Sequence, residues 1–581
     1  MSENPAGILL SFQASYFTLV HNWYFFLHLL VLQFAFASLI SSVLSGMISE
    51  KNSLSILSHL GGVLGIVLFS LGTIVLKIKP SPSLGMAVVI AALIILILRR
   101  KHLASLLPSS GMVFFFLFIL LLRLIFVQGL LVPPYADSVT HLQIVLDLMN
   151  PDRPPQAYYW LTLDLEHSYH AGFHALAAWL SNTTNIEPAQ AILLLGQYFQ
   201  ALVVLAIYPI GYLLFKNSLA AWGVMCISGL LLPVPAYASN WGKYPAIASM
   251  IGISFVLSMV LIRFANKKNS SSKFWVIGAL ALLATTALHS RSLFAVMVFL
   301  AFFGLFFSYK ANLLEKKFLE HQGMMATVLN ILLFFFIMVF FEYEIPFLLF
   351  LGLLIISVFA FYADFILASN FIVIALTMGI LHYFPLDWLG LPERFNTIFD
   401  RPYLIILSYI PASILIWNGL EGIIRLLSEN NYKFSRRQFF TSILILGLTN
   451  SIFIQNHHPS DCCIFLNDDD LFAFQWMQQN LPDDTLVGIS AIGKPGNFLP
   501  ADGGAWIESF TNVPTRKLDS DTDFMDTAAD LCAESIEYYY LDNLKDSFDE
   551  YSLVETGGIY QFGLGGVKIY KLDCMNLPVE N

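Results

Sequence analysis

Apolar runs long enough to cross about 30 Å of hydrocarbon recur along this chain as far as residue 455. That recurrence limits the fold more than any motif does. The runs lie at 22–48, 56–78, 84–98, 111–132, 190–215, 218–235, 244–264, 274–289, 291–309, 324–341, 346–361, 365–384, 402–427 and 438–455. The sequence therefore predicts an α-helical polytopic membrane protein with about 14 transmembrane helices. Composition agrees: 57% of the 581 residues are hydrophobic and 12% charged, and the mean hydropathy of +0.70 lies well outside the soluble range. The N-terminus lacks a basic region and a small-residue cleavage site, so no cleavable signal peptide is expected and the first span stays as an anchor.

Orientation follows from the basic residues that flank the spans. Arg99, Arg100 and Lys101 form one basic loop, and Arg263, Lys267, Lys268 and Lys273 form another. Lys310, Lys316 and Lys317, and then Arg425, Lys433, Arg436 and Arg437, make two more. With alternating spans all four fall on one side, which the positive-inside rule makes cytoplasmic. The N-terminus, the segment around Asp137 and the tail beyond 455 are then extracytoplasmic, and the expected location is the plasma membrane.

The tail, 456–581, mixes polar and apolar residues, is punctuated by Gly and Pro, and carries most of the excess acid behind the net charge of −10. It reads as a small extracytoplasmic α/β domain. Asp470 is the expected N-cap of a helix LFAFQWMQQN, TLVGISA reads as a strand, and a helix is expected through 525–535. A strand at 537–541 and a closing hairpin GGIYQFGLGGVKIYKL complete the domain. The acidity reads as a solvated face rather than a calcium site. One disulfide from the Cys462/Cys463 pair to Cys532 or Cys574 can form if the compartment is oxidising. The expected domains are 1–110, extra N-terminal helices; 111–455, a catalytic membrane module with an outside loop at 133–189; and 456–581.

Ionisable groups beside a bilayer are costly unless they pair or face water, so their clusters mark candidate sites. PPYADSVTHL is followed some thirty residues later by LEHSYHAGFHALAAWLS, which puts Asp137, His141, Glu166, His167, His170 and His174 on one side. Asp137 stands where it can cap a helix whose apolar stripe runs through Val139, Leu142, Val145 and Met149. The sharper reading is a general base for an acceptor hydroxyl, with the helix cap the plainer one on residue chemistry alone. His170 and His174, four apart, share a helix face at a spacing that can hold a metal, though no HExxH glutamate stands between them. Interfacial hydrogen bonding and the shaping of a polar pocket are the other uses of these histidines. Further outside elements add Trp241, Lys243 and Tyr244 in ASNWGKYPA, and His289 and Arg291 in the short hairpin ALHSRS. Glu393, Arg394 and Arg401 follow in LGLPERFNTIFDRPYL. Arginine suits bidentate phosphate recognition.

This order of parts resembles the GT-C superfamily of membrane glycosyltransferases, in poorly characterised prokaryotic members related to the lipid A and protein O-mannosyl type. The likeness rests on YADSVTHL, which opens a long outside loop, on YHAGFHALAAWLS and the span that follows it, and on WGKYP. The His289-x-Arg291 hairpin, Arg394-Phe395 and the tail sequence DLFAFQWMQQNLPDDTLVGIS extend it. Relatives usually have one span before the acidic loop, whereas here three extra spans precede it. Ala136 stands where a second acid is common, and His170 lies near the place of a lysine-proline pair.

The resemblance implies transfer of a sugar from a polyprenyl-phosphate-linked donor to a glycan, lipid or protein acceptor on the extracytoplasmic side, with inversion. Asp137 would act as base with His141 beside it, and Lys243, Arg291 and Arg394 would hold the donor phosphate. Glu166, His167, His170, His174, Trp241, Tyr244, His289 and Glu393 would line the substrate pocket. No cofactor is expected, with a divalent metal as the one candidate, and the partners are the bilayer and these substrates, not nucleic acid. A secondary transporter is a rival reading, from the many spans and from Pro209, Pro346 and Pro411 within them, as is a polyprenyl-linked glycan ligase. Against a transporter, the polar residues gather at one surface and the spans hold few ionisable groups, Arg123 being the clearest.

Overall fold

A computed structural model of the chain describes residues 5–150, 170–265, 272–308, 322–340, 347–383, 398–430, 436–453, 458–460, 463–482, 484–494, 497–500, 502–542 and 547–575. The chain divides into two compact units. One comprises Met1–Gln128, Asp147–Ser239 and Tyr244–His458; the other comprises Gly129–Leu146, Asn240–Lys243 and Pro459–Asn581.

Every regular element among the first unit's described residues is a helix. An apolar chain in hydrocarbon must satisfy every backbone group within itself, and helices do so. Among the described residues six helices are long and apolar enough to cross a membrane: Trp23–Leu44, Lys51–Val75, Pro188–Phe215, Tyr244–Ala265, Phe365–Tyr383 and the continuous stretch Arg401–Glu429. Shorter apolar helices, among them Pro82–Leu98, Ser110–Ile125 and Ser272–Leu288, lie where the remaining spans are expected. Together they mark a multi-pass membrane protein. A helix at Pro5–His21 precedes the first expected span, so the side taken by the N-terminus does not follow from counting the runs alone.

Pro188–Phe215 and Tyr244–Ala265 are almost entirely buried and form the centre of this unit. By contrast Ile90, Ile94, Ile97 and Leu98 of Pro82–Leu98 stay exposed, an apolar surface suited to lipid. Glycine permits the tightest crossings. A Cβ on Gly62 would lie 2.5 Å from the carbonyl oxygen of Gln33, so Trp23–Leu44 and Lys51–Val75 meet backbone to backbone. Helix starts are chemically specified, as at Glu50, whose carboxylate accepts from the N–H groups of Asn52 (3.1 Å) and Ser53 (2.5 Å).

The second unit is built on a six-stranded mixed sheet: β1 Leu486–Lys494, β2 Asn497–Pro500, β3 Thr515–Asp519, β4 Ile536–Leu541, β5 Gly558–Leu564 and β6 Val567–Leu572. Central β1 runs parallel to β3 and to β4 and antiparallel to β2; β6 joins β4 and β5 by antiparallel pairing. Helix Phe524–Ala533 packs on this sheet, and Phe524, Leu531, Ile536, Tyr539, Phe548, Leu553 and Leu572 form a core beneath it.

Three expectations for the tail are corrected. The helix Asp468–Asn480 is capped by Asn467 rather than Asp470. The Asn467 side chain accepts from the N–H of Asp469 (2.8 Å), while the Asp470 carboxylate accepts from the N–H of Asn467 (2.6 Å) in a capping box. Cys532 pairs with Cys574 instead of with the Cys462/Cys463 pair, because the end of Phe524–Ala533 and the end of β6 bring their Cα atoms to 5.7 Å; Cys463 is itself disulfide-bonded. The acid is not all solvated either. Asp470 and Asp502 are buried; the hydroxyl of Tyr540 donates to Asp470, and the N–H of Gly504 (3.0 Å) donates to Asp502. Burial pushes the Asp470 carboxyl up to about 7 and the Asp502 carboxyl well above the usual range.

Candidate active site

The site in the second unit is assembled from three separate pieces of chain. Past Pro133 and Pro134 the backbone turns sharply at Tyr135, an aromatic residue held at φ +71°. Such a residue in the left-handed region is a local strain, of the kind that gathers at functional sites. Its N–H donates to the carbonyl of Cys463 at 2.9 Å, and its ring packs 6.0 Å from that of Phe465. The Ser138 hydroxyl donates to the Pro134 carbonyl at 2.6 Å.

These contacts fix the start of helix Asp137–Met149. Asp137 is its first residue, one place inside the expected cap, where a carboxylate faces the positive end of the helix dipole. The second piece, Asn240–Lys243, lies alongside. Gly242 adopts φ +62°, and a Cβ there would collide with the Ser138 hydroxyl and lie 2.8 Å from the Pro134 carbonyl oxygen. Only glycine lets this strand approach so closely, and the approach delivers Lys243 into an ion pair with Asp137. The third piece, from the tail, ties down the second: Asn240 accepts from the Ser460 N–H at 2.8 Å. Lys243 and Asp137 keep side-chain exposures of 25% and 31%, so the carboxylate is oriented by the ammonium and remains partly open. His141, one turn along, is buried. Trp241 closes the short 3-10 helix Ala236–Trp241.

The first unit carries its own polar cluster. The hairpin at His289 is held by the Ser292 hydroxyl, which donates to the carbonyls of Thr285 (2.8 Å) and His289 (2.6 Å). The His289 ring stacks on Tyr403, centroids 4.6 Å apart and planes 10° from parallel, with the His170 ring 4.4 Å away on another side. Arg291 forms an ion pair with Asp400, whose other carboxylate oxygen accepts from the Tyr403 N–H at 2.7 Å.

His170 lies just ahead of the helix that begins at Gly172 and carries His174, so the two are not on one helix face, yet their rings lie 6.2 Å apart and Nδ1 of His174 lies 3.1 Å from the His170 carbonyl. Among the described residues no group of three or more His, Cys, Asp and Glu is arranged to hold a metal. Tyr244 is fully buried, its ring against Gly196 and stacked 6.2 Å from Phe173. Glu166, His167, Glu393 and Arg394 lie outside the described residues.

Sequence reasoning missed Asp400 and Tyr403. A signal was present, since Asp400-Arg401-Pro402 reads as a helix cap followed by proline in the first turn. Nothing in the sequence tied Asp400 to Arg291.

No family model matches the chain, and no curated protein matches it. Among solved structures it is similar to arabinofuranosyltransferase AftD from Mycobacteria, with a TM-score of 0.47 and 13% identity over 80% of this chain and 40% of that one. It is also similar to the archaeal oligosaccharyltransferase AglB from Archaeoglobus fulgidus, solved with an inhibitory peptide and a dolichol-phosphate, with a TM-score of 0.38 and 12% identity over 81% of this chain and 74% of that one. The chain spans about two fifths of the length of the mycobacterial structure.

Proposed function

We propose that this chain is a membrane glycosyltransferase of the GT-C kind its sequence resembles, acting at the extracytoplasmic face on a polyprenyl-phosphate-linked sugar. The observation that carries the reading is the Asp137–Lys243 ion pair, which joins an acid and a base from two different loops at a strained, partly open helix start. In the reaction Asp137 takes the proton of the acceptor hydroxyl, and the acceptor oxygen bonds to the anomeric carbon as the bond from that carbon to the phosphate oxygen breaks. Attack opposite the leaving group inverts the centre, which passes through an oxocarbenium-like state. The departing lipid phosphate gains charge that Lys243, Arg291 and Arg394 are suited to balance.

Two further observations support the extracytoplasmic side. The positive-inside reading of the basic loops favours that side for the Asp137 segment and the tail, and the Cys532–Cys574 disulfide suits an oxidising compartment. The Asp137 loop and the tail fall in one compact unit, which supports a role for the tail in choosing the acceptor. The domain scheme of 1–110, 111–455 and 456–581 is kept in this proposal as a functional division.

The test is transfer by the purified full chain in detergent, given a panel of polyprenyl-phosphate sugars and scored for release of polyprenyl phosphate and for a glycosylated acceptor. Release with a labelled acceptor supports the reading. Absence of release from every donor, together with sugar uptake into proteoliposomes, would replace it with the transporter.

A further inference from the structure

Arg291 is placed in the proposed function as a phosphate ligand, yet in the structure its guanidinium already holds an anion. That anion is the carboxylate of Asp400, bound through Oδ2, while Oδ1 accepts from the Tyr403 N–H at 2.7 Å and caps the helix Arg401–Leu407. A carboxylate and a phosphate each offer a pair of charged acceptor oxygens to an arginine fork, so they compete for it. The pair is not sealed: Arg291 is 19% exposed and Asp400 31%. One Asp400 oxygen is committed to the helix cap, so Asp400 can leave Arg291 without losing its own anchor.

The arginine, by contrast, springs from a fixed base. It lies between His289, stacked on Tyr403, and Ser292, whose hydroxyl is bonded to the Thr285 and His289 carbonyls. The guanidinium is thus a prepositioned anion receptor with a tethered internal anion in it.

We propose that Asp400 is a resting-state placeholder for a phosphate group on Arg291, released when a phosphate monoester or diester binds, so that Asp400 sets the affinity and selectivity of this subsite. This rests on Arg291 being a phosphate ligand. The pairing acts as a threshold. An anion that pairs weakly with the guanidinium does not displace the carboxylate, whereas a phosphate does, and the freed carboxylate remains as the helix cap.

The experiment measures binding of decaprenyl phosphate in micelles, and separately of inorganic phosphate, to the full-length protein. Wild type is compared with Asp400→Asn, Asp400→Ser and Arg291→Ala. Asn and Ser are both good N-caps, so either keeps the helix start while removing the competing charge. Both should bind phosphate roughly ten-fold tighter or better, because a charge-assisted competitor is gone. Tightening toward the lipid alone assigns the subsite to a lipid headgroup; tightening toward both, or toward inorganic phosphate alone, assigns it to phosphate as such. Arg291→Ala should weaken binding by a similar factor. Unchanged or weaker binding in both Asp400 variants, with Arg291→Ala still weakened, overturns the placeholder and leaves Arg291 as a ligand. Unchanged binding in Arg291→Ala removes Arg291 from the phosphate site altogether.

Discussion

Replacing Asp137 by Asn separates a structural role from a catalytic one, because the first is read in folding stability and the second in the rate of transfer. The structural role is bounded by the contact: a partly exposed ion pair at a helix start is worth about 0.2–1 kcal/mol, and the dipole adds about 0.3–1 kcal/mol. Asn keeps the shape, can still meet Lys243 through its amide oxygen, and loses only the charge. The folded protein should therefore be weakened by no more than about 2 kcal/mol. Loss of a general base costs roughly 10²- to 10⁴-fold in rate, which is about 2.7–5.4 kcal/mol on the barrier.

The assay is single-turnover transfer from the polyprenyl-phosphate donor that wild type uses, at saturating donor, with the melting temperature measured on the same samples. The expected result is a small shift in melting and a hundred-fold or greater loss of rate. Lys243→Met should lower the rate less and raise the donor concentration needed, since the ammonium orients the carboxylate and meets phosphate but takes no proton. If Asp137→Asn melts like wild type and transfers sugar within about five-fold of its rate, far short of the loss of a base, the mechanism is wrong.

Gly242→Ala should destabilise the second unit, by about 1–2 kcal/mol for the left-handed backbone alone, and more from the collision with Ser138 and the Pro134 carbonyl. Chemical denaturation should show Ser138→Ala relieving part of that loss, while a full rescue or no loss at all would contradict the close approach. Burial holds the Asp470 carboxyl at about 7, above an unfolded value of about 3.9. Its contribution to stability is whole below the unfolded value and is lost as pH rises through 7. Limited proteolysis of the tail should accordingly run faster at pH 8.5 than at pH 5.5, and Asp470→Asn should flatten the difference. For orientation, Lys101→Cys should resist an impermeant thiol reagent added outside intact cells and Asp521→Cys should react, both positions being exposed on the protein; the opposite pattern would put Asp137 in the cytoplasm.

Much of this architecture is written in one dimension. Apolar runs and helix caps are local, so helices lie where the runs predict them, from Trp23–Leu44 to Arg436–Phe453. In the tail, β1, β4, the β5–β6 hairpin and helix Phe524–Ala533 stand within a few residues of their expected places. Among the tail elements left unread, β2 and β3 are short strands that exist because β1 is there to receive them.

The sequence also singled out Asp137, Lys243, His289 and Arg291 by chemical type, since charge and imidazole beside a membrane are conspicuous. What it could not supply was who meets whom. Lys243 reaches Asp137 only because Gly242 turns left-handed against Ser138, and Arg291 meets Asp400 only because a hairpin and a distant helix cap end side by side. The Cys532–Cys574 pairing, the burial of Asp470 and the break between His170 and the helix carrying His174 are of the same kind. Periodicity and capping report on neighbours within a turn or two of chain. Ion pairs, stacked rings and disulfides join segments far apart in the chain, and the packing of the whole unit selects them.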